Sequence, residues 1–187
     1  MKKMKNKIIL ASSSPRRKEL FDKYGIDYTV DFVETEEVLD ESLTLFKRLE
    51  NIALQKAKPL QIKYSNNIIV SADTMVTFQD EMLGKPKNRE DAKRMLELLS
   101  NNKQVVITAV CIIKDQQSTT FTDATTVTFK KLSDQEIEDY LDTNEWQGKA
   151  GAYAIQGVAS KFVEKIDGDL ENVIGMPMYK VIKYLEA

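Results

Sequence analysis

The chain of 187 residues contains no histidine and one cysteine. Without imidazole, Ser-His-Asp and Cys-His nucleophilic catalysis and histidine metal ligation are excluded, and a single thiol cannot build a cysteine-rich zinc site. Chemistry must therefore rest on carboxylates, Lys, Arg and hydroxyls, and any metal would be oxygen-ligated, which favours Mg²⁺ or Mn²⁺. An excess of one charge is also missing. Lys and Arg number 27 against 29 Asp and Glu, a formal charge of −2, so neither a nucleic-acid polymer nor an anionic membrane is the default partner. Long hydrophobic runs are absent too. The basic start Met1–Lys7 is followed only by Ile8–Ala11 before three serines, too short for a signal-peptide core or a membrane span. Cys111, alone within the apolar run Val105–Ile113, has no intrachain disulfide partner, which fits a reducing, cytoplasmic compartment.

What is present alternates between helical and strand-like signals over a length suited to one domain, residues 1–187. This predicts an α/β fold with a mixed twisted sheet flanked by helices. Lys7–Ala11 reads as a buried strand. Ser14 and Pro15 then open a helix that Gly25 stops. Ile26–Val33 alternates as a strand, and the acidic stretch with Glu34, Glu36 and Glu37 follows it. Helical spacing runs from Ser42 to Lys63, with Pro59 kinking or ending it near the last turn. Ile68–Ala72 is an apolar run that delivers Asp73 and Thr74 to its end, and Met75–Phe78 can continue as strand. Asn88 caps a helix to about Leu99, and strands near Val105–Lys114 and Ser118–Phe129 turn at Asp115-Gln116. Ser133 with Glu136 spaces a capping box. A glycine-bearing segment Gly148–Gly157, a strand near Phe162–Ile166 and a helix after Pro177 complete the chain.

Four stretches can carry chemistry. Ser12-Ser13-Ser14-Pro15-Arg16-Arg17 joins a strand end, hydroxyls, the N–H groups of a new helix and two guanidinium groups, a combination that binds phosphate. Two arginines in a first turn oppose the helix dipole, and an anion would relieve that conflict. The alternative is an ordinary serine cap beside solvated arginines. Asp73, after a buried strand, can hold a metal or activate water, or simply form a turn. Gly84-Lys85-Pro86 can extend an ammonium toward phosphate, but Gln79 stands where a Walker A loop needs glycine, and no G-x-G-x-x-G occurs. Gln156, within Gly148–Gly157, offers the donor and acceptor that a pyrimidine edge needs, against the alternative of a turn around a core tyrosine.

Taken in order, Leu10–Arg17, Ala53 with Lys56-Ala57, Ser71-Ala72-Asp73-Thr74, Gly84-Lys85-Pro86, Thr125–Phe129, Gly151–Gly157 and Asn172–Pro177 resemble the Maf family of nucleotide pyrophosphatases. The resemblance implies a fold like that of inosine triphosphate pyrophosphatases, with a cleft beside a mixed sheet, and assembly as a homodimer. It implies hydrolysis of a nucleoside triphosphate between the α and β phosphates with a divalent cation, Mg²⁺ or Mn²⁺. Trp146 through Gly157 looks like the branch acting on dTTP and UTP. By the same resemblance Asp73 is the proton acceptor for the attacking water, and Arg16, Thr74 and Gln156 match specificity positions. Ser12, Arg17, Lys56 and Lys85 match substrate-binding positions, and Glu37 with Asp73 are the candidate metal ligands. Gln104 stands where many relatives carry histidine, and Ser13 replaces a common glycine. A nucleotide-binding regulator of cell division, with incidental hydrolysis, is the alternative reading.

Overall fold

The computed structural model describes residues 6–187. Seven strands form one mixed sheet in the order β2-β1-β3-β5-β6-β7, with β4 paired to β3. These are β1 (Ile8–Leu10), β2 (Tyr28–Val30), β3 (Ile68–Phe78), β4 (Glu81–Leu83), β5 (Lys103–Lys114), β6 (Gln117–Phe129) and β7 (Val163–Asp167). The helices are α1 (Pro15–Lys23), α2 (Leu45–Ala57), α3 (Arg89–Leu99), α4 (Asp134–Asp142), α5 (Leu170–Ile174) and α6 (Met178–Glu186). Contacts divide the chain into two compact units, one of residues up to Asp73, Thr108–Asp123 and Gly175–Ala187, the other of Thr74–Ile107 and Ala124–Ile174.

In the first unit β1 pairs in parallel with β2 and β3. Covered on both faces, it reads as the unbroken apolar run Ile8-Ile9-Leu10, all three side chains buried. Pro15 starts α1 as expected, but the Ser14 side chain makes no cap. Ser12 Oγ accepts the Ser14 N–H instead, at 3.2 Å. Gly25, at φ 62°, ends this turn in the left-handed region. Helix α2 begins at an N-cap of Thr44 rather than near Ser42, and Pro59 falls in a 3₁₀ turn, Lys58–Leu60, that closes it. Leu49, Ile52, Ala53 and Ala57 form its buried stripe, with Leu49 and Ile52 contributing about 1.5–3 kcal/mol each.

In the second unit α3 buries Ala92, Met95, Leu96 and Leu99, and α4 buries Ile137, Tyr140 and Leu141. Glu138 of α4 binds both Arg89 and Lys93 of α3, at 2.7 and 2.6 Å. Asn88 caps α3 through the Asp91 N–H, and Ser133 with Glu136 closes a full capping box. Phe129 meets Tyr153 and Phe162 edge-on, and Phe162 meets Tyr140 in the same way. Gly151 has φ 69°, and a Cβ there would lie 2.9 Å from Val76, so only glycine lets this segment approach β3 so closely.

Several expected boundaries moved. The strand predicted over Ile26–Val33 is only Tyr28–Val30, because its ladder partner β1 has three residues to offer. The run Ile68–Ala72 and its expected continuation Met75–Phe78 form one strand, Ile68–Phe78, so Asp73 and Thr74 lie within it rather than at its end. Its second half is held by β4, through Val76↔Leu83, Thr77↔Met82 and Phe78↔Glu81, a hairpin partner that no local pattern announces. Among the described residues no helix is long and apolar enough to cross a membrane.

Candidate active site

The Ala11 N–H donates to Val70 O at 2.8 Å, the last rung before the chain leaves the sheet. Ser12, 6% exposed, then accepts from Ser14 N–H and, at 3.3 Å, from Arg17 Nη1. Arg17 Nε donates to Gly175 O at 2.8 Å. The guanidinium is thus held by two fixed oxygens. Burial pulls its pKa down to about 10; the negative charges of Asp73 and then Glu37 oppose that fall, while Arg16 adds to it. Arg17 remains a cation at neutral pH. Arg16 is half-buried, and burial lowers its pKa against the field of Glu19.

Asp73, 8% exposed, faces α2 through a simple register. Ser71 and Asp73 lie two apart on β3 and share a face, while Ala53 and Lys56 lie three apart on α2 and share another. The buried Ser71 hydroxyl donates to Ala53 O at 2.5 Å, and this contact brings Lys56 Nζ within 2.7 Å of Asp73 Oδ1. The same ammonium lies 3.1 Å from Glu37 Oε1.

Glu37 comes from the irregular segment 31–44, which α2 and the turns after it pin down. Lys63 Nζ and Tyr64 OH both bind Asp31 Oδ2 at 2.6 Å. The Gln55 amide meets the main-chain N–H and C=O of Val38 at 3.4 and 3.3 Å. Arg48 donates to Glu41 O and Leu43 O at 2.7 and 2.8 Å. The pins from Gln55, Lys63 and Tyr64 join groups 17 to 33 positions apart, and those from Arg48 reach main-chain oxygens, so no side-chain pattern in the sequence announces them. Glu36, from the same acidic stretch, is exposed, as Glu37 is.

The first unit therefore gathers Ser12, Arg17, Glu37, Lys56 and Asp73. Arg16 belongs to the same unit, and the remaining candidates, Thr74, Lys85 and Gln156, belong to the second unit. Thr74 is half-buried on β3, and Lys85 and Gln156 are exposed. The loop of Lys85 and the segment of Gln156 touch, since Gly84 O accepts the Gly151 N–H at 3.2 Å. Gln156 rides on a turn closed by Gly157 N–H to Ala154 O at 3.1 Å.

Among the described residues no group of three or more His, Cys, Asp or Glu side chains is placed to hold a metal. Asp73 and Glu37 do approach one cationic point, so two carboxylates are the donor set that the first unit offers a hard divalent ion. Such an ion would need further oxygen ligands from phosphate or water.

The chain is similar to known proteins along nearly its whole length. A dTTP/UTP pyrophosphatase of Acholeplasma laidlawii is 43% identical over 182 residues, covering 96% of this chain and 95% of that protein. One of Bacillus velezensis is 43% identical over 183 residues, 98% and 97% of the two chains. One of Bacillus cereus strain G9842 is 41% identical over 180 residues, 96% and 94% of the two chains. The family model described as Maf-like protein matches residues 7–187, and the chain belongs to the Maf family.

Proposed function

We propose that this protein is a nucleoside triphosphate pyrophosphatase that hydrolyses dTTP and UTP between the α and β phosphates, giving the monophosphate and pyrophosphate. The observation that carries the reading is the pairing of Lys56 with both Asp73 and Glu37, beside an Arg17 held by Ser12 and Gly175. The names and near-complete coverage of the relatives support the same activity and substrates.

Arg17 and Lys56, with Lys85 and the N–H groups that open α1, offset the charge of the triphosphate. Asp73 accepts a proton from the water whose oxygen forms the new P–O bond, while the α–β bond breaks and pyrophosphate leaves. Asp73 and Glu37 would hold Mg²⁺ or Mn²⁺, which supplies charge neutralisation at the phosphate oxygens when bound. Arg16, Thr74 and Gln156 set specificity, with the Gln156 amide pairing its donor and acceptor to the uracil or thymine edge. The buried lone thiol of Cys111 fits work in the cytoplasm. Assembly as a homodimer belongs to the same reading, and light scattering gives its stoichiometry.

The test is product analysis over a panel of ordinary and modified triphosphates with Mg²⁺ or Mn²⁺. Pyrophosphate with UMP or dTMP is expected. Release of orthophosphate, or inactivity of the folded protein on every triphosphate, overturns the reading.

A further inference from the structure

Gln156 is an exposed side chain on an irregular segment, a poor platform for reading a base unless its main chain is fixed. An amide that must be ordered at each binding event loses part of its pairing energy to entropy. We propose that Glu145 is a positioning residue for Gln156: its carboxylate clamps the turn that carries the amide and thereby sets pyrimidine selectivity. The proposal rests on the base-reading role given to Gln156 above.

Glu145 lies just beyond α4. Its Oε1 accepts the Val158 N–H at 2.9 Å, and its Oε2 accepts the Ala159 N–H at 3.4 Å. These are the opening N–H groups of the 3₁₀ helix Val158–Phe162, which have no acceptor within that helix. The carboxylate fills the space beside residue 157, where a Cβ would overlap Glu145 Oε1. The backbone of Gly157, at φ −95°, suits any residue. Glycine is needed here for room, and the occupant of that room is Glu145.

The other end of the segment is tied to α4 itself. Tyr140 of α4 donates its hydroxyl to Ala152 O at 2.9 Å. Burial raises the Tyr140 pKa first, and the charge of Glu145 raises it further, so the hydroxyl stays a donor. Glu145 is itself oriented by its N–H to Thr143 Oγ1, at 3.2 Å, and that hydroxyl donates to Tyr140 O at 2.6 Å. Residues 152–158 therefore span two anchors on one support, with the Ala154–Gly157 turn between them and Gln156 inside that turn. No other side-chain function is needed to explain why an acid, a tyrosine and a glycine stand at 145, 140 and 157.

UTP and CTP differ at the edge that an amide reads: uracil presents an N3–H donor and an O4 acceptor, and cytosine presents the reverse. The experiment measures kcat/KM for both, with thermal melting to verify folding, in Gln156→Ala, Glu145→Ala, the double variant and Glu145→Gln. The expected result is an approximately tenfold fall in the UTP-to-CTP ratio for Gln156→Ala and a similar fall for Glu145→Ala, with nothing further lost in the double variant. Glu145→Gln, which keeps the size and one acceptor oxygen, gives an intermediate ratio and serves if Glu145→Ala does not fold. A purely structural Glu145 lowers both kcat/KM values together and leaves the ratio intact. A collapsed ratio in Gln156→Ala with a wild-type ratio in both Glu145 variants overturns this proposal alone. An unchanged ratio in Gln156→Ala removes the base-reading role itself, and the positioning role with it.

Discussion

Lys56 Nζ lies 2.7 Å from Asp73 Oδ1 and 3.1 Å from Glu37 Oε1, so one ammonium joins a carboxylate on a buried strand to one on an exposed segment. Arg17 feels the field of both acids. These four side chains, two cations and two anions, sum to zero charge. The balance matters because a triphosphate brings several negative charges to groups that already attract one another.

That balance predicts the effect of each charge removed. Lys56→Met takes the group to −1, Asp73→Asn takes it to +1, and the double variant returns it to zero. A unit charge a few ångströms away, partly screened, is worth on the order of 1 kcal/mol. Lys56→Met should thus weaken binding of a non-hydrolysable UTP analogue by about five- to tenfold, Asp73→Asn should keep or tighten it, and the double variant should bind about as the wild type does. Titration calorimetry at two salt concentrations, without added metal, checks the series. A double variant as weak as Lys56→Met would show that the ammonium touches phosphate directly. Turnover obeys different physics: Asp73→Asn should lose about 10²–10⁴-fold in kcat.

The sequence exposed the members of this group better than their arrangement. Strand-turn-helix logic located Ser12 and Arg17, because a short apolar run, a proline at the first helical position and Gly25 are local signals. The capping boundaries at Asn88 and Ser133 were legible for the same reason. Asp73 follows the apolar run that stops at Ala72, and the strand over Met75–Phe78 was legible too, but β4, which folds back on that half and leaves Asp73 inside the strand, was not. Alternation from Ile26 to Phe32 promised a longer strand, but Phe32 is 44% exposed and the neighbouring strand is too short to pair with it. The contacts of Lys56 with Asp73 and of Glu145 with Val158 join residues 17 and 13 positions apart, and no periodicity encodes such meetings.

The capping box gives a pH prediction. Glu136 Oε1 binds Lys130 Nζ at 2.8 Å, and Oε2 accepts the Ser133 N–H at 2.9 Å. The lysine hydrogen bond first, and the Ser133 N–H second, pull its pKa from 4.5 to about 2. A depressed carboxyl pKa stabilises the fold above the unfolded value and loses that contribution as pH falls through the folded value. Glu136→Gln keeps a capping-box side chain but removes the charge. The melting temperature of the variant should lie below that of the wild type near neutral pH, and the gap should close between about pH 4.5 and 2. Melts across that range decide the matter, and a gap independent of pH would detach it from ionisation.

Gln104 offers a test in the opposite direction. It lies in β5, is 1% exposed, and neither its amide nitrogen nor its amide oxygen has a hydrogen-bond partner among the described residues. A buried amide in that state forfeits its hydration without return, at a cost of about 1–3 kcal/mol. Methionine has a similar length and no branch at Cβ, so it can follow the same path through the core without the two polar atoms. Gln104→Met should therefore stabilise the protein by about 1 kcal/mol and raise the melting temperature by roughly 2–4 °C. Since Gln104 belongs to neither group of candidate site residues, UTP hydrolysis should stay at the wild-type rate. Destabilisation with full activity would mean that the amide is hydrogen-bonded in solution, and loss of activity at unchanged stability would give it a place in the chemistry.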